Sequence, residues 1–125
     1  MNGFVGRFKL RALLNVTLLL LRRGAKRSPR LRRMLNENSF VMQIRSDDGG
    51  GGYFTVKQGQ IGLTTGVHPK PDFAQVWRNA DVAVRALMNS DETELLRAIE
   101  DGRCRMQGSF LIALWFNEAM KLARS

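Results

Sequence analysis

At 125 residues, 44% of them hydrophobic, the chain has room for one domain with a modest core and is too apolar for global disorder. Its single cysteine, Cys104, excludes an intrachain disulfide and a cysteine-based zinc cluster, and fits a reducing, cytoplasmic setting. The net charge of +9 lies wholly in residues 1–33, which hold ten Lys or Arg and no acid, against ten basic and eleven acidic residues in the remainder.

Residues 4–21 read as a mostly apolar helix whose Arg7, Arg11, Asn15 and Arg22 fall on one narrow stripe. The run Ala12–Leu21 is shorter than the ~20 apolar residues that span a bilayer. Arg22-Arg23-Gly-Ala-Lys-Arg follows it where a signal peptide carries small cleavage-site residues. Two roles remain open. The helix packs on the domain or on a second copy of it, giving a homodimer, or it lies in the membrane plane as a peripheral anchor. In the second case Arg7, Arg11, Arg22, Arg23, Lys26 and Arg27 sit among anionic headgroups. Arg22 to Arg33 carries seven basic residues broken by Gly24, Ser28 and Pro29. It reads as a solvated basic linker, with Pro29 ending the preceding helix, or as a lipid contact worth roughly 1 kcal/mol per basic residue. It has no aromatic residue on which a base could stack, which argues against a nucleic-acid arm. The chain thus divides into a basic amphipathic helix and linker, 1–33, and a domain, 34–125.

The domain opens on alternation. Phe40, Met42 and Ile44 face one way and Val41, Gln43 and Arg45 the other, so Phe40–Arg45 is a strand. Asp47-Asp-Gly-Gly-Gly-Gly52 is a hairpin loop leading to a second strand, Tyr53–Lys57. The glycine run lacks the Lys-Ser/Thr of a phosphate loop and precedes a strand rather than a helix. Gln58-Gly59-Gln60 turns into a third strand from Ile61. Gly66-Val-His-Pro-Lys-Pro71 is a proline-stiffened crossover, and its His68 has no second histidine with which to hold a metal. Asp72–Arg78 is the fourth strand, with Phe73 and Trp77 on one face. Ala80–Met88 and Glu92–Glu100 are short helices, with Ser90 or Asp91 as the cap of the second and Val84, Leu87, Leu95, Leu96 and Ile99 inward. Between Gly102 and Gly108, Arg103, Arg105 and Gln107 alternate with Cys104 and Met106 as a fifth strand. Ser109 is placed to cap a last, strongly apolar helix carrying Phe110, Leu114, Trp115 and Met120. The order is α–βββ–β–αα–β–α.

The run Asp101-Gly-Arg-Cys-Arg-Met-Gln-Gly-Ser-Phe-Leu resembles the signature of the sterol carrier protein type 2 superfamily, in which a basic–apolar alternating strand between glycines precedes the last helix. Lys70-Pro-Asp-Phe-Ala-Gln-Val-Trp is similar to the family's Pro-Asp strand, and Ala80–Glu100 to its paired helices. The resemblance covers residues 40–122. It implies an α+β fold: a five-stranded, mainly antiparallel sheet covered by helices around an apolar tunnel for a sterol, fatty acyl chain or other lipid. It also implies binding and transfer without catalysis, and, by analogy with single-domain bacterial relatives, an accessory role in quinone biosynthesis beside a partner enzyme.

The residues themselves offer little for catalysis. The Asp47-Asp48 pair sits in a glycine hairpin where nothing is expected to tune it, Cys104 lies on an inward strand face, and no nucleophile elbow occurs. No metal or cofactor site is expected. What remains is a surplus of apolar side chains facing the sheet. Those expected to contact a lipid are Phe40, Met42, Ile44, Phe73, Trp77, Leu87, Met106, Phe110, Leu114 and Trp115. On pattern alone they read first as the filling of a solid core, as under a partner-binding module, and it is the resemblance that turns them toward a cavity.

Overall fold

The computed structural model of the chain describes residues 3–89 and 93–125. The elements are α1 (Gly3–Arg27), α2 (Pro29–Glu37), β1 (Phe40–Ser46), β2 (Gly51–Lys57), β3 (Gln60–Thr65), β4 (Phe73–Trp77), α3 (Ala80–Met88), α4 (Thr93–Glu100), β5 (Cys104–Gly108) and α5 (Phe110–Arg124). The five strands form one sheet in the order β3-β2-β1-β4-β5, antiparallel except for the parallel pair β1–β4. The α+β class, strand count and mainly antiparallel character are as expected. The expected caps Ser90 and Asp91, with Glu92 behind them, lie outside the described residues.

The departures from expectation are concentrated at the N-terminus. The first helix runs on through the basic stretch to Arg27, and a second helix stands where a linker was expected. Pro29 ends the preceding helix as expected, with Ser28 before it extended, and also starts the next one. Its missing N–H costs nothing in the first turn, and the Ser28 hydroxyl accepts a hydrogen bond from the Leu31 N–H at 3.1 Å. Arg32 donates to the carbonyls of Ala25 and Lys26, which have no partner inside α1. Leu10, Leu14, Leu18, Leu21 and Leu31 are buried in the same core as the sheet residues. A division of the chain at residue 33 therefore follows charge and not packing.

One sheet face carries the core. Register places Phe40, Met42 and Ile44 of β1 beside Val56 and Phe54 of β2 on one side. On the other side Phe73, Gln75 and Trp77 of β4 neighbour Gly108, Met106 and Cys104 of β5. All five helices pack around this sheet. On the opposite face, which carries Val41, Gln43 and Arg45, Gln43 is fully buried. Its amide donates to the carbonyls of Gly52 and Gly66 and its oxygen accepts the His68 N–H at 2.7 Å. This staples the 66–71 crossover onto β1 with every polar atom matched.

Two short-range features set the position of α5. Gly108 has φ +93°, and a Cβ there would strike the Asp72 carbonyl, so only glycine lets β5 end against β4. Ser109 follows at the cap position, but contrary to expectation its side chain makes no capping hydrogen bond. Its backbone N–H instead donates to the Asp72 carbonyl at 2.9 Å, fixing the helix start by main chain alone.

Candidate functional site

Helices α1 and α5 approach each other at Gly24, where an added Cβ would lie 2.8 Å from the Ala123 Cα. Away from that crossing they leave a cleft above the sheet, with a volume of about 450 Å³. That lies within the ~300–1,000 Å³ of small-molecule sites. Its floor is Met42 and Ile44 of β1 with Gln75 and Trp77 of β4. One wall is Leu13, Leu14, Thr17 and Leu20 of α1, and another is Phe110, Ala113, Leu114, Phe116 and Met120 of α5. Ala86 and Leu87 of α3 and Leu95 and Leu96 of α4 close the third side. The mouth is apolar: Phe110 and Leu114 are 53% and 54% exposed, with Val16 and Leu96 beside them. Asn89, Asn117, Lys121 and Arg124 supply a polar rim.

Of the ten side chains expected to contact a lipid, Met42, Ile44, Trp77, Leu87, Phe110 and Leu114 line this cleft. The other four stand outside its lining. Phe40 packs edge-on against Trp115 with ring centroids 4.9 Å apart. Phe73 is buried in the core and Met106 is half-buried on the edge strand β5. Trp115 keeps a buried indole N–H that has no hydrogen-bond partner among the described residues. Sequence reasoning missed the whole α1 wall and also Gln75. A signal for α1 was present, because its leucines run almost all round the helix, which marks a helix covered on more than one side.

The six expected membrane-contact residues divide by what their side chains touch. Arg7 donates to the Asp48 carbonyl at 3.1 Å. Arg22 donates twice to the Ile61 carbonyl at 3.1 and 3.0 Å, and Arg27 donates to the Ala123 carbonyl at 3.2 Å. These three tie α1 to the loop after β1, to β3 and to α5. Arg11, Arg23 and Lys26 are exposed on the outer side of α1, which also presents Phe8, Val16 and Leu19 to solvent.

Asp47, Asp48 and Cys104 lie outside the cleft lining. Contrary to expectation Asp47 is tuned: its hydrogen bonds from Arg105, both 3.2 Å, hold its carboxyl below the ordinary range, helped by the charges of Arg105 and Arg45. The Asp48 carboxylate accepts the Ala80 N–H and joins Asn79 in capping α3. Burial pushes the Cys104 thiol up to about 11, so it stays protonated at neutral pH. Among the described residues no group of three or more His, Cys, Asp or Glu is placed to hold a metal ion. No helix among them is long and apolar enough to cross a membrane.

A five-stranded mixed sheet with helices on one face, closed by a glycine-hinged last strand and helix, is the sterol carrier protein 2-like fold, and solved structures bear this out. A UbiJ-SCP2 ubiquinone synthesis protein is similar at a TM-score of 0.65 and 19% identity, over 93% of this chain and 98% of that one. The sterol carrier protein domain 2 of Helicoverpa armigera is similar at 0.57 and 16% identity, over 87% and 85% of the two chains. The apo form of sterol carrier protein 2 from Yarrowia lipolytica gives 0.57 and 13%, over 91% and 95%. No protein-family model matches the sequence, and no curated protein matches it significantly.

Proposed function

We propose that the chain binds one lipid molecule in the cleft between α1, α5 and the sheet and transfers or presents it, without catalysis, at a cytoplasmic membrane surface. The observation that carries this reading is the cleft itself: about 450 Å³, walled by leucine, phenylalanine and methionine, with an apolar mouth, in a sterol carrier protein 2-like fold. Burying an acyl or isoprenoid chain releases ~0.8 kcal/mol per CH₂. A bilayer returns nearly the same amount, so exchange between membrane and cleft is close to balanced and needs no energy source. The barrier is the passage through water, which docking removes.

Docking through residues 1–33 is supported by the outer face of α1. Phe8, Val16 and Leu19 are exposed there beside Arg11, Arg23 and Lys26, α1 contains no acidic residue, and Val16 also borders the cleft mouth. Such a face suits an anionic bilayer, with apolar groups below the headgroups and cations among them. Co-sedimentation with vesicles tests it: binding should need anionic lipid and weaken with salt. Equal binding to neutral vesicles, or a stable dimer that hides this face, contradicts it.

A narrower version, an accessory factor of quinone biosynthesis that presents a polyprenyl intermediate to a partner enzyme, is supported by the likeness to the UbiJ-SCP2 protein, which includes most of this chain's length. Native mass spectrometry of the protein as purified distinguishes it, since a polyprenylated ring compound and a fatty acid differ plainly in mass. A chain that carries no lipid and takes up none favours a partner-binding module.

A further inference from the structure

The floor of the cleft contains one residue that hydrophobic lining does not explain. Gln75 lies mid-strand in β4, and its neighbours on the same face are Ile44, Met106, Phe73 and Trp77. It is 7% exposed and lines the cleft. Its oxygen accepts the Trp77 indole N–H at 3.3 Å. An indole N–H can only donate, so this contact fixes which end of the amide is oxygen and turns the NH₂ group elsewhere. Among the described residues no hydrogen bond is made by that NH₂ group, which is left open to the cleft rather than sealed in the core. A methionine or leucine would line the position with carbon or sulfur alone, whereas the amide presents a donor to an otherwise apolar cleft floor.

We infer that the Gln75 amide is a specificity-determining hydrogen-bond donor for an oxygen acceptor carried into the cleft by the ligand, which makes that ligand an oxygenated lipid and not a plain hydrocarbon. The inference rests on the lipid-binding reading above and adds the chemistry of the ligand's inserted end. Trp77 is the positioning residue: it holds the amide oxygen and so aims the two N–H bonds. The acceptor is a hydroxyl, carbonyl or carboxylate oxygen that enters ahead of, or midway along, the apolar chain. The Asn117, Lys121 and Arg124 rim lies on α5, across the cleft from this floor.

The test compares tetradecane, 1-tetradecanol and tetradecanoic acid as competitors for a fluorescent apolar dye bound to the full chain. The parent protein should prefer at least one of the oxygenated probes over tetradecane by about tenfold beyond their difference in water solubility, the scale of one hydrogen bond to a buried donor. Gln75→Met, similar in length but without donors, should erase that preference and still bind tetradecane. In the parent, ¹⁵N-detected side-chain amide signals of Gln75 should shift with the preferred probe and stay in place with tetradecane, a readout that survives even if the variant does not fold. Equal competition by all three probes, or an unmoved Gln75 signal on binding the alcohol and the acid, overturns this inference while leaving lipid binding intact. Failure of every probe to displace the dye overturns both.

Discussion

Leu21→Ala tests whether α1 is structural or an appendage. Leu21 is 0% exposed and does not line the cleft, so its side chain is core in the strict sense. Truncating it removes three carbons from a packed interior and leaves a void, which costs about 2–5 kcal/mol. For a domain whose whole stability is ~5–15 kcal/mol that is a large fraction. At a few degrees per kcal/mol the melting temperature should fall by roughly 8–20 °C. Leu19→Ala is the control: two residues away and 57% exposed on the outer side, it should change stability by no more than about 0.5 kcal/mol. Thermal melts and urea titrations of both variants beside the parent supply the measurement. A chain shortened to begin at Met34 should correspondingly lose its cooperative transition, since Leu10, Leu14, Leu18, Leu21 and Leu31 leave the core together. Equal, negligible effects of Leu21→Ala and Leu19→Ala, with a shortened chain that still melts cooperatively, would refute the reasoning and restore residues 1–33 as a detachable leader.

Gly24→Ala should destabilise the fold although alanine is the better helix former by ~1 kcal/mol, because its Cβ would stand 2.8 Å from the Ala123 Cα; a raised melting temperature would show that α5 gives way freely. Asp47 has a folded-state pKa below its ordinary 3.8, so its contribution is present above that value and is lost as pH falls through the lower one; Asp47→Asn should reduce stability slightly at neutral pH and by progressively less as the pH falls below 3.8. Cys104, with its thiol pushed up to about 11, should react with a thiol reagent at pH 8 only at the rate of unfolding, and rapid labelling of the native protein would contradict its burial.

The sheet was legible because a strand with one buried face writes its role every second residue. Phe40, Met42 and Ile44, then Phe54 and Val56, announce both the strands and the face they share. The last strand and helix were legible from the glycines at 102 and 108. Period says which face a residue lies on and not what stands opposite it. Phe40 and Ile44 are equivalent in pattern, yet α5 sets Trp115 against the first and leaves the cleft over the second. The same ambiguity hides Gln43 and Gln75. Each is a glutamine in an alternating strand, and only the crossover at Gly66–His68 and the indole of Trp77 show what their amides do. At the N-terminus charge misled. The basic run Arg22–Arg33 reads as solvent-loving linker, but several of its arginines fasten backbone carbonyls: Arg22 that of Ile61, Arg27 that of Ala123, and Arg32 those at the end of α1.

A lipid in the space over Trp77 and beneath α5 is measurable through the two tryptophans. Trp77 lines the floor of the cleft, whereas Trp115 lies outside its lining against Phe40. Bromine on an acyl chain quenches indole fluorescence only near contact, so Trp115→Phe isolates Trp77 as the reporter. Titrating that protein with a mid-chain dibrominated fatty acid, beside the unbrominated acid as reference, should quench Trp77 strongly and saturably. Saturable binding that leaves Trp77 fluorescence untouched would place the lipid elsewhere than in the cleft.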